Sequence, residues 1–317
     1  MFAALKQYNQ WLGQKMILVV LGGLCLGFFI PLYDSIALRN LVVGLFAFMT
    51  FITALSTSLK SFVQILKRPW IPLWILLLVH IVGPLIAYLL GLLFFPDELY
   101  TRIGFFIGAS IPIGVTSIIW TSLVGGHVSI ALVAVTLDTF IVPFILPALF
   151  HLVLGKSVNI DYWAMLWGLL KMVTIPSILG MLIHEFTSGK TQEFASGAGG
   201  FLSKLALFGV VFINSAMVMP HINWSFSMIK LLLMALLIVI SGFFVGFLGS
   251  LILKDRSHGM MMTMVHNVGI RNNSCGLVLA LSFFPASAAI PLTIAILFQQ
   301  PVATFVTFVY KRFSKRS

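Results

Sequence analysis

The feature that most limits this chain is a succession of apolar runs, each about 16–25 residues long, divided by short polar segments. A helix rising 1.5 Å per residue over such a run crosses the roughly 30 Å hydrocarbon layer of a bilayer. Barrel strands would be about 10 residues long and would alternate apolar with polar, and these runs do not. The residue balance agrees: 60% of the 317 residues are hydrophobic and 9% charged, against about 25% charged in soluble domains. The expectation is an all-α integral membrane protein. A cleavable leader is not expected, since the first apolar run lacks a small-residue cleavage site and more runs follow it.

Net charge is +11, but its placement argues against nucleic acid as a partner. Of 19 Lys and Arg, 13 fall in one set of loops, from Lys6 and Lys15 to Lys315 and Arg316. The opposite set holds Arg39, Arg102, Lys156 and Lys230, while Lys171 and Arg271 fall inside apolar runs. This is the positive-inside asymmetry of a multi-pass protein of the cell (inner, plasma) membrane, with both termini in the cytoplasm. Cys25 and Cys275 lie within apolar runs, where free cysteines serve as packing residues.

Ten spans are expected: 16–30, 41–59, 70–95, 103–124, 128–154, 162–183, 201–219, 228–253, 259–284 and 286–310. An amphipathic start, 1–15, is expected at the membrane surface, and Trp70 and Trp74 at its interface. The loop 185–200 is the least apolar stretch and is expected to be mobile. Five spans per half, 1–155 and 156–317, give the halves opposite orientations, so any repeat is inverted and span 4 corresponds to span 9.

Spans 4 and 9 are also the interrupted ones. Span 9 lies in MTMVHNVGIRNNSCGLVLALSFF (262–284), which places an arginine and three asparagines in the middle of an apolar run. Span 4 contains GASIPIGVTSIIWTSLVGG (108–126). Pro112 removes a backbone donor, and Gly114 and Gly269 are expected to supply unusual dihedrals. Thr116, Ser117, Thr121 and Ser122 bring hydroxyls; Asn267, Asn272 and Asn273 bring amides. Pro and Gly also kink membrane helices for packing alone. Paired breaks at matching positions, however, point to a transporter site near the midplane, where a freed helix N-terminus favours an anion and freed carbonyls a cation.

Asp138 is the one acidic residue deep in a span, and Arg271 the one arginine. A lone charge there costs about 2.5–3.5 kcal/mol or more, so the two are expected to meet. The pair would lock span 5 to span 9, or open to admit a substrate carboxylate or a proton. His80, His266 and Lys171 are deep enough to matter, with histidines in spans more often packing residues than ligands. No metal-binding histidine spacing, nucleophile–base set, phosphate loop or dinucleotide fingerprint is present. An enzyme is not expected, nor a resident cofactor.

The residues resemble the bile acid:sodium symporter family, its bacterial members most closely. The likeness spans nearly the whole chain and is sharpest in GGHVSIALVAVTLDTFIVPFILP (125–147), KMVTIPSILGMLIHE (171–185) and NVGIRNNSCGL (267–277). It implies ten helices in two inverted five-helix repeats, a panel of helices 1, 2, 6 and 7, and a core of the rest. Helices 4 and 9 would be discontinuous and crossing, with an organic anion bound beside them. Expected substrate contacts are Pro112, Gly114, Thr116, Ser117, Asp138, Gly269, Arg271, Asn272 and Asn273.

The chain departs from the family's sodium-binding pattern. Asn267 stands where sodium-coupled members carry glutamate, Arg271 where they carry glutamine, and Ile118 where they carry asparagine. The candidate sodium set is Ser117, Thr136, Asp138, Thr139, Asn267 and Asn272, with Arg271 a replacement for one ion and Asp138 restoring a carboxylate. The expected function is alternating-access secondary transport of a small organic anion, bile-acid-like or a monocarboxylate metabolite. It would be cation-coupled, to sodium or protons, with reduced or absent sodium dependence. A proton-linked or facilitative efflux carrier is the alternative, with a membrane-embedded enzyme or a non-transporting sensor behind it. The lipid bilayer is the expected surrounding, and no obligate protein partner is evident.

Overall fold

The structure, a computed structural model, describes residues 7–9, 11–13, 15–57, 70–155, 158, 161–222 and 227–314. The basic loop 60–68 and much of the expected surface segment 1–15 lie outside these residues. The described chain is helical, apart from loops and one isolated bridge. We label the helices α1 (Met16–Phe29), α2 (Ile36–Ala54), α3 (Trp70–Phe94), α4 (Leu99–Ser110), α5 (Thr116–Leu123) and α6 (Val128–Leu154). Then follow α7 (Tyr162–Phe186), α8 (Gly200–Val218), α9 (Ser227–Leu251), α10 (His258–Gly269), α11 (Asn273–Phe283) and α12 (Ile290–Ser314).

Seven stretches among the described residues are long and apolar enough to cross a membrane: Ile36–Ala54, Trp70–Phe94, Val128–Leu154, Tyr162–Phe186, Thr191–His221, Met228–Leu251 and Ala286–Tyr310. This is a multi-pass membrane protein. Expected span 1 is the 14-residue α1, and expected spans 4 and 9 are each two short helices. α2 starts five residues earlier than expected because Ser35 caps it, its Oγ accepting the Leu38 N–H at 3.3 Å. Just before this cap Asp34 pairs with Arg39, and that bond holds the Asp34 carboxyl below its ordinary pKa.

Two long helices contain a single π turn, Leu78–Val82 in α3 and Leu170–Thr174 in α7. Each lies just ahead of a proline, Pro84 or Pro176. Proline cannot donate to the carbonyl four residues back and its ring crowds that carbonyl, so the helix widens by one residue rather than break. Loop 185–200 is partly helical: it forms a helical turn at Thr191–Phe194 and then kinks at Gly197 (φ −105°, ψ −109°) on the way into α8.

The chain falls into two compact units. Unit 1 holds α1, α2, α7, α8 and the part of α6 from Pro143 onward. In it α8 packs on α1 and α2, and α7 on α2. Lipid offers little hydrophobic drive for helix association, so close backbone approach at small residues does the work. A β-carbon on Gly27 of α1 would lie 2.6 Å from Ser215 Cβ and 2.8 Å from the Phe212 carbonyl of α8. Cys25, on the same helix, is exposed rather than packed.

Unit 2 holds α3, α4, α5, α6 through Val142, α9, α10, α11 to Ala280, and α12. Here α9 packs on α10 and α12, and α4 on α3 and α12. Trp74 Nε1–H donates to the Gly249 carbonyl at 2.9 Å, tying α3 to α9. Trp70, by contrast, is exposed.

Gly27→Ala is expected to destabilise the protein by about 1–3 kcal/mol through overpacking. Gly44→Ala, with no atom within 4 Å of the new methyl, should be neutral or slightly stabilising. Thermal melting in detergent distinguishes them; equal melting temperatures would refute the α1–α8 packing.

Candidate functional site

The site is built from two helix breaks that lie in unit 2. α4 ends at Ser110 because Pro112 follows, and Ile111 becomes extended (φ −62°, ψ 159°). α10 ends at Gly269, with Ile270 also extended (φ −100°, ψ 113°). The two open stretches pair with each other through an antiparallel bridge at Ile113 and Arg271. The Gly114 N–H donates to the Ile270 carbonyl, and the Asn272 N–H to the Pro112 carbonyl, each at 2.8 Å.

The remaining backbone groups find side chains. Gln299 of α12 accepts the Arg271 N–H on Oε1 and donates Nε2–H to the Arg271 carbonyl, both at 3.0 Å. Asp138 of α6 accepts the Ile113 N–H on Oδ2 at 2.7 Å. Asn272 caps α11, its Oδ1 accepting the Cys275 N–H at 3.3 Å. Unpaired backbone groups are costly away from water, so this two-residue sheet with side-chain supports lets both breaks exist.

Gly114 and Gly269 are needed for space rather than for dihedral freedom. The positive-φ glycines among the described residues are Gly125 and Gly189. A β-carbon at 114 would lie 2.9 Å from the Arg271 carbonyl oxygen, and one at 269 would lie 2.5 Å from Phe243 Cγ.

Asp138 and Arg271 do not form the expected pair; no ion pair joins them among the described residues. Asp138 Oδ1 lies 2.6 Å from His80 Nε2, and His80 Nδ1 lies 3.0 Å from the Ser110 carbonyl. Both side chains are buried. The reason is positional: α3 brings an imidazole to Asp138 while the Ile113 amide takes its second oxygen, which completes its coordination without a guanidinium.

Arg271 turns elsewhere. It is 8% exposed, and its Nη1 is buried with no hydrogen-bond partner among the described residues. Gly83 makes room for it: a β-carbon there would lie 2.9 Å from Nη2. Arg271 lines a pocket of about 40 Å³ between α3, α4, α9, α11 and α12, whose polar lining also includes Ser241, Asn273 and Gln299. Gly269 also lines it. Pro112, Gly114, Thr116, Ser117, Asp138 and Asn272 do not border this pocket.

Ser117 belongs to a second buried network. Its hydroxyl donates to Asn267 Oδ1 at 3.1 Å. Asn267 Nδ2–H in turn reaches the Thr263 carbonyl at 2.7 Å and the Thr121 hydroxyl at 3.3 Å. Thr136 and Thr139 donate to carbonyls of their own helix, Leu132 and Val135. The six candidate sodium positions thus take part in separate hydrogen-bonding groups. His266 lies buried against Trp120, with Nε2 3.3 Å from the Thr307 hydroxyl. Lys171 is exposed on α7.

Sequence reasoning missed Gln299 and gave His80 too little weight. Both carried a readable signal, since a glutamine pair in FQQP within span 10 and a lone histidine in span 3 are polar groups in apolar runs.

A family model, the Sodium Bile acid symporter family, matches residues 42–227. The chain belongs to the sodium bile acid symporter family. Its members are transporters, so this chain is a membrane transporter and not an enzyme. It is 35% identical over 275 residues to "Uncharacterized protein YbaS" of Bacillus subtilis (strain 168), covering 86% of this chain and 89% of that one. It is 22% identical over 291 residues to "Uncharacterized sodium-dependent transporter YocS" of the same organism, covering 90% and 88%. The family match includes the first break and Asp138 but stops short of Arg271.

Gln299→Leu is expected to cost about 2 kcal/mol or more, since it orphans a buried donor and a buried acceptor of Arg271 at about 1–3 kcal/mol each. Gln300→Leu, which removes a half-buried bond to Trp120 (3.1 Å), should cost less. Melting temperatures of the two variants check the order.

Proposed function

We propose that this transporter carries a small organic anion by alternating access, and that the Arg271 pocket receives the anion's acidic head. The observation that carries this reading is Arg271, which lines a pocket and whose buried Nη1 has no hydrogen-bond partner among the described residues. A buried cation without a partner is expensive, and an incoming carboxylate supplies both the charge and the hydrogen bonds it lacks. Asn273, in the first turn of α11, adds the positive end of a helix to the same wall. A pocket of about 40 Å³ exceeds the roughly 10–15 Å³ that one water needs on that measure, so it has room for a carboxylate group beside Arg271.

The ten-span arrangement, as inverted repeats 1–155 and 156–317 with both termini cytoplasmic, is part of this reading. Its support is the charge asymmetry and the pairing of the two breaks. Transport is less dependent on sodium than in the family's sodium-coupled members, or independent of it. Asn267 replaces a carboxylate, and its amide is already committed to Ser117, Thr121 and Thr263.

The test is uptake of radiolabelled pyruvate and cholate by the full chain in proteoliposomes. Arg271→Ala should weaken apparent affinity by about 2–5 kcal/mol, which is more than about tenfold. Replacing sodium by choline should leave uptake nearly unchanged. Undiminished uptake by Arg271→Ala would overturn the anion site, and a steep dependence on two or more sodium ions per cycle would overturn the coupling.

A further inference from the structure

Glycine within a helix destabilises it relative to alanine, so a helical glycine calls for a reason. Five glycines line the Arg271 pocket, and close contacts account for four of them. A β-carbon on Gly83 would lie 2.9 Å from Arg271 Nη2, and one on Gly104 would collide with the Ala288 carbonyl. One on Gly242 would lie 3.3 Å from Gly269 Cα, and one on Gly269 would lie 2.5 Å from Phe243 Cγ.

Gly108 is different. The atom nearest to its added carbon is Leu292 Cγ at 3.8 Å, an ordinary contact. Its φ is not positive. Neither packing nor backbone conformation therefore asks for glycine at this position. Every other residue from 103 to 110 is buried, and Gly108 is not. What glycine leaves at 108 is open space in the pocket.

We infer that Gly108 is a specificity-determining residue, which keeps room beside Arg271 for the carbon chain of a short monocarboxylate. The inference rests on Arg271 being the anion site. Size supports it. The pocket measures about 40 Å³, and one water needs roughly 10–15 Å³ on that measure. A methyl group is close to a water in size, so alanine at 108 would take a large share of the space.

Charge sets the class of ligand. Arg271 is the one charged residue that lines the pocket among the described residues. It is 8% exposed, and its Nη1 has no hydrogen-bond partner among them. One cation compensates one acidic group. The walls around it include Phe105, Ile238, Val239 and Leu292, which favour carbon and offer nothing to a second charge. A second carboxylate would be buried unpaired, at a cost that its other contacts cannot offset. The matching molecule therefore has a single acidic group and a short apolar chain, whose length the gap at Gly108 limits.

The test is competition against uptake of radiolabelled pyruvate by the full chain in proteoliposomes. The unlabelled probes are pyruvate, 2-oxobutyrate (one methylene longer) and malonate (three carbons like pyruvate, with two carboxylates). Gly108→Ala should melt no lower than the wild type in detergent. It should weaken competition by 2-oxobutyrate relative to pyruvate by about tenfold or more, as one methylene does in a fitted pocket. Leu292→Val, which shortens the side chain nearest to Gly108, should shift that ratio the other way. Malonate should compete more than about tenfold more weakly than pyruvate in the wild type. An unchanged ratio in folded Gly108→Ala overturns the inference. If that variant does not fold, an unchanged ratio in Leu292→Val overturns it instead. Malonate competing as well as pyruvate also overturns it. Two outcomes separate it from the anion site. Pyruvate uptake lost in Arg271→Ala, with the Gly108→Ala ratio unchanged, sinks this inference alone, as does wild-type uptake of cholate but not pyruvate. Pyruvate uptake undiminished in Arg271→Ala sinks the anion site and this inference with it.

Discussion

Two hydrogen bonds between open backbones support everything else in this site. A helix broken in hydrocarbon exposes donors and acceptors that water cannot reach. Here the exposed groups of one break are the partners of the other: Gly114 with Ile270, and Asn272 with Pro112. Neither stretch could stay open alone at tolerable cost. The close approach explains Gly114, where a methyl would press on the Arg271 carbonyl at 2.9 Å. It also explains Gln299, which takes both the N–H and the carbonyl of Arg271, neither of which the bridge satisfies.

The arrangement keeps opposite charges apart inside an apolar protein. Asp138 is claimed by His80 and by the Ile113 amide, while Arg271 lines a pocket and its Nη1 has no partner among the described residues. A direct Asp138–Arg271 pair would be the simpler way to hide two charges, and it would leave nothing for a substrate to neutralise. Separation costs stability, and in the proposed reading it leaves the guanidinium free for a substrate's acidic head.

Much of the fold was legible in the amino-acid order. Apolar run length marked seven long helices, since the bilayer sets that length. Proline and glycine inside two other runs marked the breaks, because no regular helix tolerates that chemistry without compensation. Helix starts were less legible: α2 begins at the Ser35 cap rather than where the run becomes uniformly apolar. The polar stretch 185–200 looked like a mobile loop, yet part of it is helical, since alanine, glycine and threonine also form turns where a neighbouring helix supports them.

The sequence by itself determined that this is a helical membrane protein with two polar interruptions, and that Asp138, Arg271 and the asparagines must be accounted for inside it. Burial cost alone demands that much. Which group answers which was decided only by tertiary structure. Composition placed Asp138 with Arg271; the packing of α3 against the first break gave it His80 instead. The glycines were marked as special by order, but whether they served dihedral freedom or close contact depended on what lay opposite. Partnership in a membrane core follows from distances of a few ångströms between segments far apart in the chain, and no local pattern encodes those.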